Sequence, residues 1–126
     1  MRTVTATSIA AVLSGALMAG SATAVFAAGF DGDWTVNVIT VRGGCDRNTT
    51  YDVHVANGRI EYRTYNAISM YGTVSPQGAV NVSIRRFDDG AQGTGHLDGQ
   101  SGHGHGGWSG AGKSGSCSGR WEAHRR

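Results

Sequence analysis

The 126-residue chain has only one proline, Pro76, and only two cysteines. It lacks a Cys-x-x-Cys pair, and it shows no order of Ser, His, Asp or Cys that is typical of nucleophilic catalysis. Beyond residue 27 it also lacks a 3.6-residue apolar period, so amphipathic helices are not expected there. These absences favour a β-rich, non-enzymatic protein that needs no cofactor.

The chain has little excess charge of either sign. Setting Arg2 aside leaves ten Lys and Arg against nine Asp and Glu, a difference of +1. Domains that bind nucleic acids usually carry a strong basic excess. We therefore expect no nucleic-acid partner.

Residues 1–27 are predicted to be a secretory signal peptide. Arg2 supplies a positive start, residues 9–20 are apolar and small, and Val25 and Ala27 suit the −3 and −1 positions of a cleavage site. Cleavage after Ala24 is a second option. The apolar stretch is too short to span a bilayer comfortably, so no stable membrane insertion is expected after cleavage. The prediction is a single exported domain, residues 28–126, that is periplasmic or secreted.

Export favours a disulfide bond between Cys45 and Cys117. The bond would close a loop of 73 residues and would stabilise the fold by roughly 4 kcal/mol on chain-entropy grounds. Two free thiols, or thiols that bind a metal, are the alternative.

Apolar and polar residues alternate with a period of two through almost the whole predicted domain, as in half-buried strands. We predict strands at about 34–41, 50–56, 59–65, 68–75, 79–87, 91–98, 101–109 and 116–124. The turns between them are placed at Asn57-Gly58, Pro76-Gln77-Gly78, Asp89-Gly90 and Gly99-Gln100, where turn-forming residues cluster.

These turns fix which residues face each other. The predicted opposite pairs are Val55 with Ile60, Val74 with Val80, Ile84 with Gly95, Val82 with Leu97, Leu97 with Gly102, Trp108 with Cys117 and Trp121 with Gly104. One face of the sheet is then apolar, and the glycines at 93, 95, 102, 104 and 106 lie on it. The other face carries Arg63, Arg85, His96, His103, Arg120, Glu122 and His124.

A sheet with one apolar face must curl or pack on itself. We therefore predict an all-β fold, a small antiparallel up-and-down barrel of about eight strands. A flattened barrel that resembles a sandwich is the alternative. The end of the first strand would lie beside the start of the last, where Cys45 and Cys117 would join them.

Aromatic residues are the main functional candidates. Five of them point inward, either as core or as the lining of a small apolar cavity: Trp34, Tyr51, Tyr62, Trp108 and Trp121. Three others fall on the outer face and form a candidate contact patch for a protein or glycan: Tyr65, Tyr71 and Phe87.

Three histidines, His96, His103 and His105, lie on the outer face of one predicted hairpin, and His96 is placed directly opposite His103. Imidazoles at this spacing are candidate ligands for zinc, copper or nickel. The alternative interpretation is a solvated polar strand face.

The chain from Phe30 onward resembles a group of small, uncharacterised exported proteins of proteobacteria. The segments that carry the resemblance are Phe30–Val36, Gly44–Asp46, Asn57–Ile60, Gly72–Ser75 and Cys117–Ala123. The resemblance implies a secreted β-domain and carries no activity.

A looser similarity, through Gly32-Asp33-Trp34, is to periplasmic lipocalin-like inhibitors of bacterial metalloproteases, which are eight-stranded barrels with one disulfide. Their cysteines lie close together in the first part of the chain, whereas Cys45 and Cys117 lie 72 residues apart, so no contact residue is carried over.

The sequence predicts an exported binding module for a small apolar ligand or a protein partner. The alternatives are a periplasmic or secreted protease inhibitor of the lipocalin-like type and a surface metal binder that uses histidines.

Overall fold

The computed structural model describes Thr3 and residues 27–63, 67–113 and 115–126. A short 3₁₀ turn, Ala27–Phe30, precedes eight strands. The strands are β1 (Gly32–Arg42), β2 (Asn48–Ala56), β3 (Arg59–Glu61), β4 (Ile68–Val74), β5 (Ala79–Arg86), β6 (Asp89–Asp98), β7 (His103–Gly112) and β8 (Gly115–Arg125).

Each strand pairs antiparallel with its neighbour in the chain, and β1 pairs with β8, so the sheet is a closed barrel. The predicted all-β, eight-stranded, up-and-down barrel is confirmed. Within the described ranges, no helix is long and apolar enough to cross a membrane. The predicted signal peptide lies almost entirely outside the described residues.

The first two predicted hairpins are confirmed in register. Asn57 and Gly58 both have positive φ, at 52° and 75°, as a two-residue hairpin turn between right-twisted strands requires. This turn places Val55 opposite Ile60. The turn before β5 places Gly78 at a φ of 94° and pairs Val74 with Val80.

The prediction for the β5–β6 turn is wrong. The two turn residues are Phe87 and Asp88, because Arg86 pairs with Asp89. Ile84 therefore faces Ala91, not Gly95. The Asp89 carboxylate accepts a hydrogen bond from the backbone N–H of Lys113, at 3.0 Å, which holds Asp89 in the ladder and out of the turn.

The same shift brings Val82 opposite Gly93 where Leu97 was expected. The register differs by four residues, an even number, so the apolar side chains stay on the predicted face.

The β6–β7 turn is also longer than predicted. It spans four residues, 99–102, and Leu97 pairs with Gly104 where Gly102 was expected. The Asp98 carboxylate explains the longer turn, since it accepts hydrogen bonds from the backbone N–H groups of Gln100 and Ser101. Gly102 accordingly lies in the turn, at a φ of 72°, and not in the strand.

The β7–β8 register is shifted by two residues from the prediction. Cys117 faces Gly110, and Trp121 faces Gly106. The predicted principle, an indole covering a cross-strand glycine, still applies. A Cβ added to Gly106 would lie 2.6 Å from the Trp121 ring, so only glycine leaves room for this indole.

The disulfide between Cys45 and Cys117 is present, with the two Cα atoms 6.1 Å apart. Cys45 lies in the loop after β1, and Cys117 lies near the start of β8. The predicted link between the first and last strands is thus confirmed. A disulfide in a small barrel is compatible with export.

Candidate functional site

The two ends of the barrel are built differently. The turns after β2, β4 and β6 lie at the end where β1 begins, together with the 3₁₀ turn. We call this the closed end. The loops after β1 and β5, with the described parts of the loops after β3 and β7, lie at the opposite end, which we call the mouth.

The buried core is concentrated toward the closed end. Phe30, from the 3₁₀ turn, is buried and packs with the inward residues of the strands there. The core consists of Phe30, Trp34, Val53, Val55, Val74, Val80, Leu97, Trp121 and Ala123. Phe30 therefore acts as a plug that closes the lower opening of the barrel.

The plug is held by side chains of the first and last strands. The Trp34 indole N–H donates a hydrogen bond of 2.8 Å to the Phe30 carbonyl oxygen. The Arg125 guanidinium donates to the carbonyl oxygens of Gly29, at 2.8 Å, and of Gly99, and its Cζ lies 5.2 Å from the centroid of the Trp34 ring. Charge-assisted hydrogen bonds and the cation–π contact fix the 3₁₀ turn across the closed end.

The plug and the core beside it form the floor of a cavity. This cavity has a volume of about 280 Å³ and reaches the mouth. Its wall is mainly apolar. The side chains that point into it from the strands include Val36, Val38, Tyr51, Met70, Val82, Ile84, Ala91 and Trp108. Small cavities lined in this way bind compact apolar molecules.

Four of the five inward aromatic candidates line this cavity: Trp34, Tyr51, Trp108 and Trp121. Trp34 is only 1% exposed and forms part of the floor. The fifth, Tyr62, packs edge-on against Tyr51 with ring centroids 5.7 Å apart.

The remaining indoles are held in fixed positions by backbone oxygens. Trp108 donates to the Ile39 carbonyl at 3.0 Å, and Trp121 donates to the Thr94 carbonyl at 3.1 Å. The wall is therefore preorganised, because satisfying both indole N–H groups restricts ring rotation.

One side of the mouth is anchored to the barrel by the disulfide. The backbone N–H of Cys45 lies 3.2 Å from Cys117 Sγ, and the buried Thr40 hydroxyl donates to the Asp46 carbonyl oxygen at 2.6 Å. The backbone N–H of Thr40 donates to the Arg47 carbonyl oxygen. Together these bonds hold the β1–β2 loop, and with it Asp46, beside the cavity.

Charged and hydroxyl groups surround the upper cavity. Arg86, Asp46 and Asp89 line it at the mouth. Burial raises the pKa of the Tyr51 hydroxyl, nearby Tyr62 raises it further, and the positive charge of Arg86 opposes them. Tyr51 is therefore protonated at neutral pH and available as a hydrogen-bond donor.

Sequence reasoning did not identify Arg86 and Asp46 as mouth residues. Arg86 could have been placed from the two-residue period of its strand, since it follows the inward residues Val82 and Ile84 at intervals of two. No comparable pattern marks Asp46, because it lies in a loop whose path depends on the disulfide.

Two of the three outer aromatic candidates, Tyr71 and Phe87, fall within the described residues, and they do not share one location. Tyr71 is exposed on the outer wall, opposite Ser83, whereas Phe87 is 78% exposed in the β5–β6 turn at the mouth. Four residues of strand separate Ser83 from Phe87, a rise of about 13 Å. Tyr65 lies outside the described residues.

The histidine candidates lie on the outer wall, all exposed. The predicted pairing of His96 with His103 is wrong, because the longer β6–β7 turn pairs His96 with His105 and Asp98 with His103. His103 in turn faces His124 on β8. Within residues 27–63, 67–113 and 115–126, no group of three or more His, Cys, Asp or Glu is placed to hold a metal ion.

No protein-family model, curated protein or solved structure matches this chain.

Proposed function

We propose that this protein is an exported, non-enzymatic binding module that holds a small apolar ligand in the cavity of its barrel. The observation that supports the proposal most strongly is the contrast within the interior. The lower part is filled by Phe30 and the core, whereas the upper part holds an apolar cavity that reaches the mouth.

The cavity volume limits the ligand. A water molecule occupies about 30 Å³ in the liquid, so a cavity of about 280 Å³ has room for about nine non-hydrogen atoms. Each buried methylene contributes about 0.8 kcal/mol, part of which offsets the cost of association. For an eight-carbon chain we expect a Kd on the order of 0.1 mM.

Isothermal titration calorimetry with 1-octanol tests this proposal directly. We expect one site on the oxidised protein and a negative heat-capacity change, the signature of apolar burial. A variant that fills the cavity, Ala91→Phe, should abolish binding, since Ala91 lines the upper wall.

Thr94→Phe is the matched control, because Thr94 is exposed on the same strand and does not line the cavity. This variant should bind octanol as the original protein does. Octanol binding that is absent, or equally strong in the Ala91→Phe protein, would contradict the proposal.

A second candidate function is recognition of a protein partner at the mouth, with protease inhibition as its most specific form. Phe87 favours it, because a large aromatic side chain stands 78% exposed in a turn whose φ of 54° ordinarily suits glycine. Phenylalanine is one of the residue types enriched at the cores of protein–protein interfaces.

A panel of secreted serine and metalloproteases, assayed with micromolar protein, tests the inhibitor form. Slowed turnover of one protease, lost in Phe87→Gly and retained in Tyr71→Ser, is the expected result. Unchanged turnover across the panel would reject it.

A further inference from the structure

The mouth adds a chemical requirement to the ligand proposed above. We infer that the ligand is an amphiphile with a short apolar chain and an anionic end, and that Arg86 binds this end at the mouth. The inference rests on the proposed function, since it concerns the same cavity.

Arg86 occupies an inward-facing position. It ends β5, two residues after Ile84 and four after Val82, and all three line the cavity. Arg86 is also exposed, so its side chain lies at the rim of the cavity and not within the core. Arg86 therefore lies at the mouth end of the apolar wall, where it would meet the end of a chain that fills the cavity.

No carboxylate of the described residues forms an ion pair with Arg86. Its cross-strand neighbour Asp89 is the nearest candidate in the ladder. The Asp89 carboxylate, however, accepts the backbone N–H of Lys113 and lies against Gly112, on the opposite side from β5. The donors of Arg86 therefore remain available to a ligand.

Tyr51 adds a second donor. It lines the same cavity, and the charge of Arg86 acts on its hydroxyl, so the two groups lie within electrostatic range of each other. A carboxylate that accepts hydrogen bonds from a guanidinium and a phenol is well satisfied, because it can only accept. The two donors thus match an anionic end better than a hydroxyl end.

Two carboxylates of the mouth oppose an anionic ligand end. Asp89 already accepts the backbone N–H of Lys113, which leaves Asp46. It also lines the cavity, and its negative charge also acts on Tyr51. Asp46 lies in the β1–β2 loop, whereas Arg86 lies on a strand and projects from the barrel wall. We therefore assign the ligand end to Arg86, and a cationic ligand is the outcome that would overturn this assignment.

Calorimetry with three ligands of equal chain length tests the inference: octanoate, 1-octanol and octylamine. Octanoate should bind about ten-fold more tightly than octanol, the gain expected from one charge-assisted hydrogen bond. Arg86→Gln should remove this difference and leave octanol binding unchanged. Because Arg86 is exposed, the variant should fold, which its thermal melting checks.

Arg85→Gln is the matched control. Arg85 is the preceding residue, is exposed and faces outward, so this variant should keep the preference for octanoate. A preference that Arg85→Gln also removes would reflect the general charge of the barrel and would overturn the role of Arg86.

The remaining outcomes separate this inference from the proposed function. Equal binding of octanoate and octanol would overturn the anionic end while leaving the apolar cavity in place. Tightest binding of octylamine would overturn it in favour of Asp46. If none of the three ligands bound, both the inference and the proposed function would be rejected.

Discussion

The closed end and the mouth are made by the same eight strands, yet one is filled and the other holds a cavity. At the closed end Phe30 enters the barrel from a segment outside the sheet, and Arg125 fixes that segment by hydrogen bonds to backbone oxygens. At the mouth, no described segment enters the barrel as Phe30 does at the closed end. The space between Tyr51, Trp108 and Ile84 therefore stays open.

Under the proposed function, this difference separates the part of the fold that supplies stability from the part assigned to binding. Burial of large side chains near Trp34 and Leu97 supplies stability, whereas the wall near Ile84 is less tightly packed and borders the cavity. The disulfide belongs to the mouth, because it holds the β1–β2 loop beside the cavity.

The largest effect is expected from removing the disulfide. Cys45→Ala combined with Cys117→Ala should lower the free energy of unfolding by roughly 4 kcal/mol, because the unfolded chain regains the freedom of a 73-residue loop. Urea denaturation measures this change. Amide chemical shifts should change at Thr40, whose backbone N–H donates to Arg47 in the β1–β2 loop, and stay unchanged at Leu97 in the closed end. Equal changes at both would refute the assignment of the disulfide to the mouth.

A pair of matched truncations compares the two regions directly. Leu97→Ala should cost about 3 kcal/mol, since Leu97 is 5% exposed and packed in the core. Ile84→Ala should cost less than about 1 kcal/mol, because Ile84 faces the cavity and leaves no new void in packed surroundings. Equal losses in urea denaturation would mean that the upper interior is packed as tightly as the floor.

A stabilising change is expected at the mouth. Phe87→Gly should raise the free energy of unfolding by about 1 kcal/mol, because glycine adopts the φ of 54° without steric cost. Thermal melting would show this as a higher Tm. A lower Tm would mean that the Phe87 ring contributes packing that outweighs its strained backbone.

The smallest effect concerns acid stability at the closed end. Hydrogen bonds from the backbone N–H groups of Gln100 and Ser101 lower the pKa of Asp98 below its ordinary value of 3.8. The stabilisation they give is present above that value and is lost as the pH falls toward the lowered pKa of the folded state. Asp98→Asn should therefore show a shallower loss of stability on acidification than the original protein.

Urea midpoints measured from pH 5 to pH 2 check this dependence. An unchanged slope in Asp98→Asn would show that the carboxylate of Asp98 does not contribute to acid sensitivity.

The fold could be predicted from the sequence because each error in strand register was an even number of residues. The strand registers across the turns at Phe87-Asp88 and at residues 99–102 were shifted by four and two residues from the prediction, and an even shift leaves every side chain on its face. The misplacements arose because Asp89 and Asp98 each form contacts that local turn preferences do not reveal. Asp89 binds the backbone of the β7–β8 hairpin, and Asp98 lengthens its own β6–β7 turn.

The cavity was only partly predictable. The inward aromatic residues could be identified from the two-residue period of the strands. Whether they fill the barrel depends on Phe30, which lies before the first strand and is not part of that period. Tyr65 lies outside the described residues, so its place in the predicted patch stays a prediction.

Nuclear Overhauser contacts between octanoate and the labelled protein test the central claim most directly. The claim predicts contacts from the terminal methyl group of the chain to Met70 and Trp108 inside the barrel. The outer wall near His124 should show none. Contacts confined to that outer wall, or no contacts at millimolar octanoate, would contradict the claim that the mouth opens into a ligand cavity.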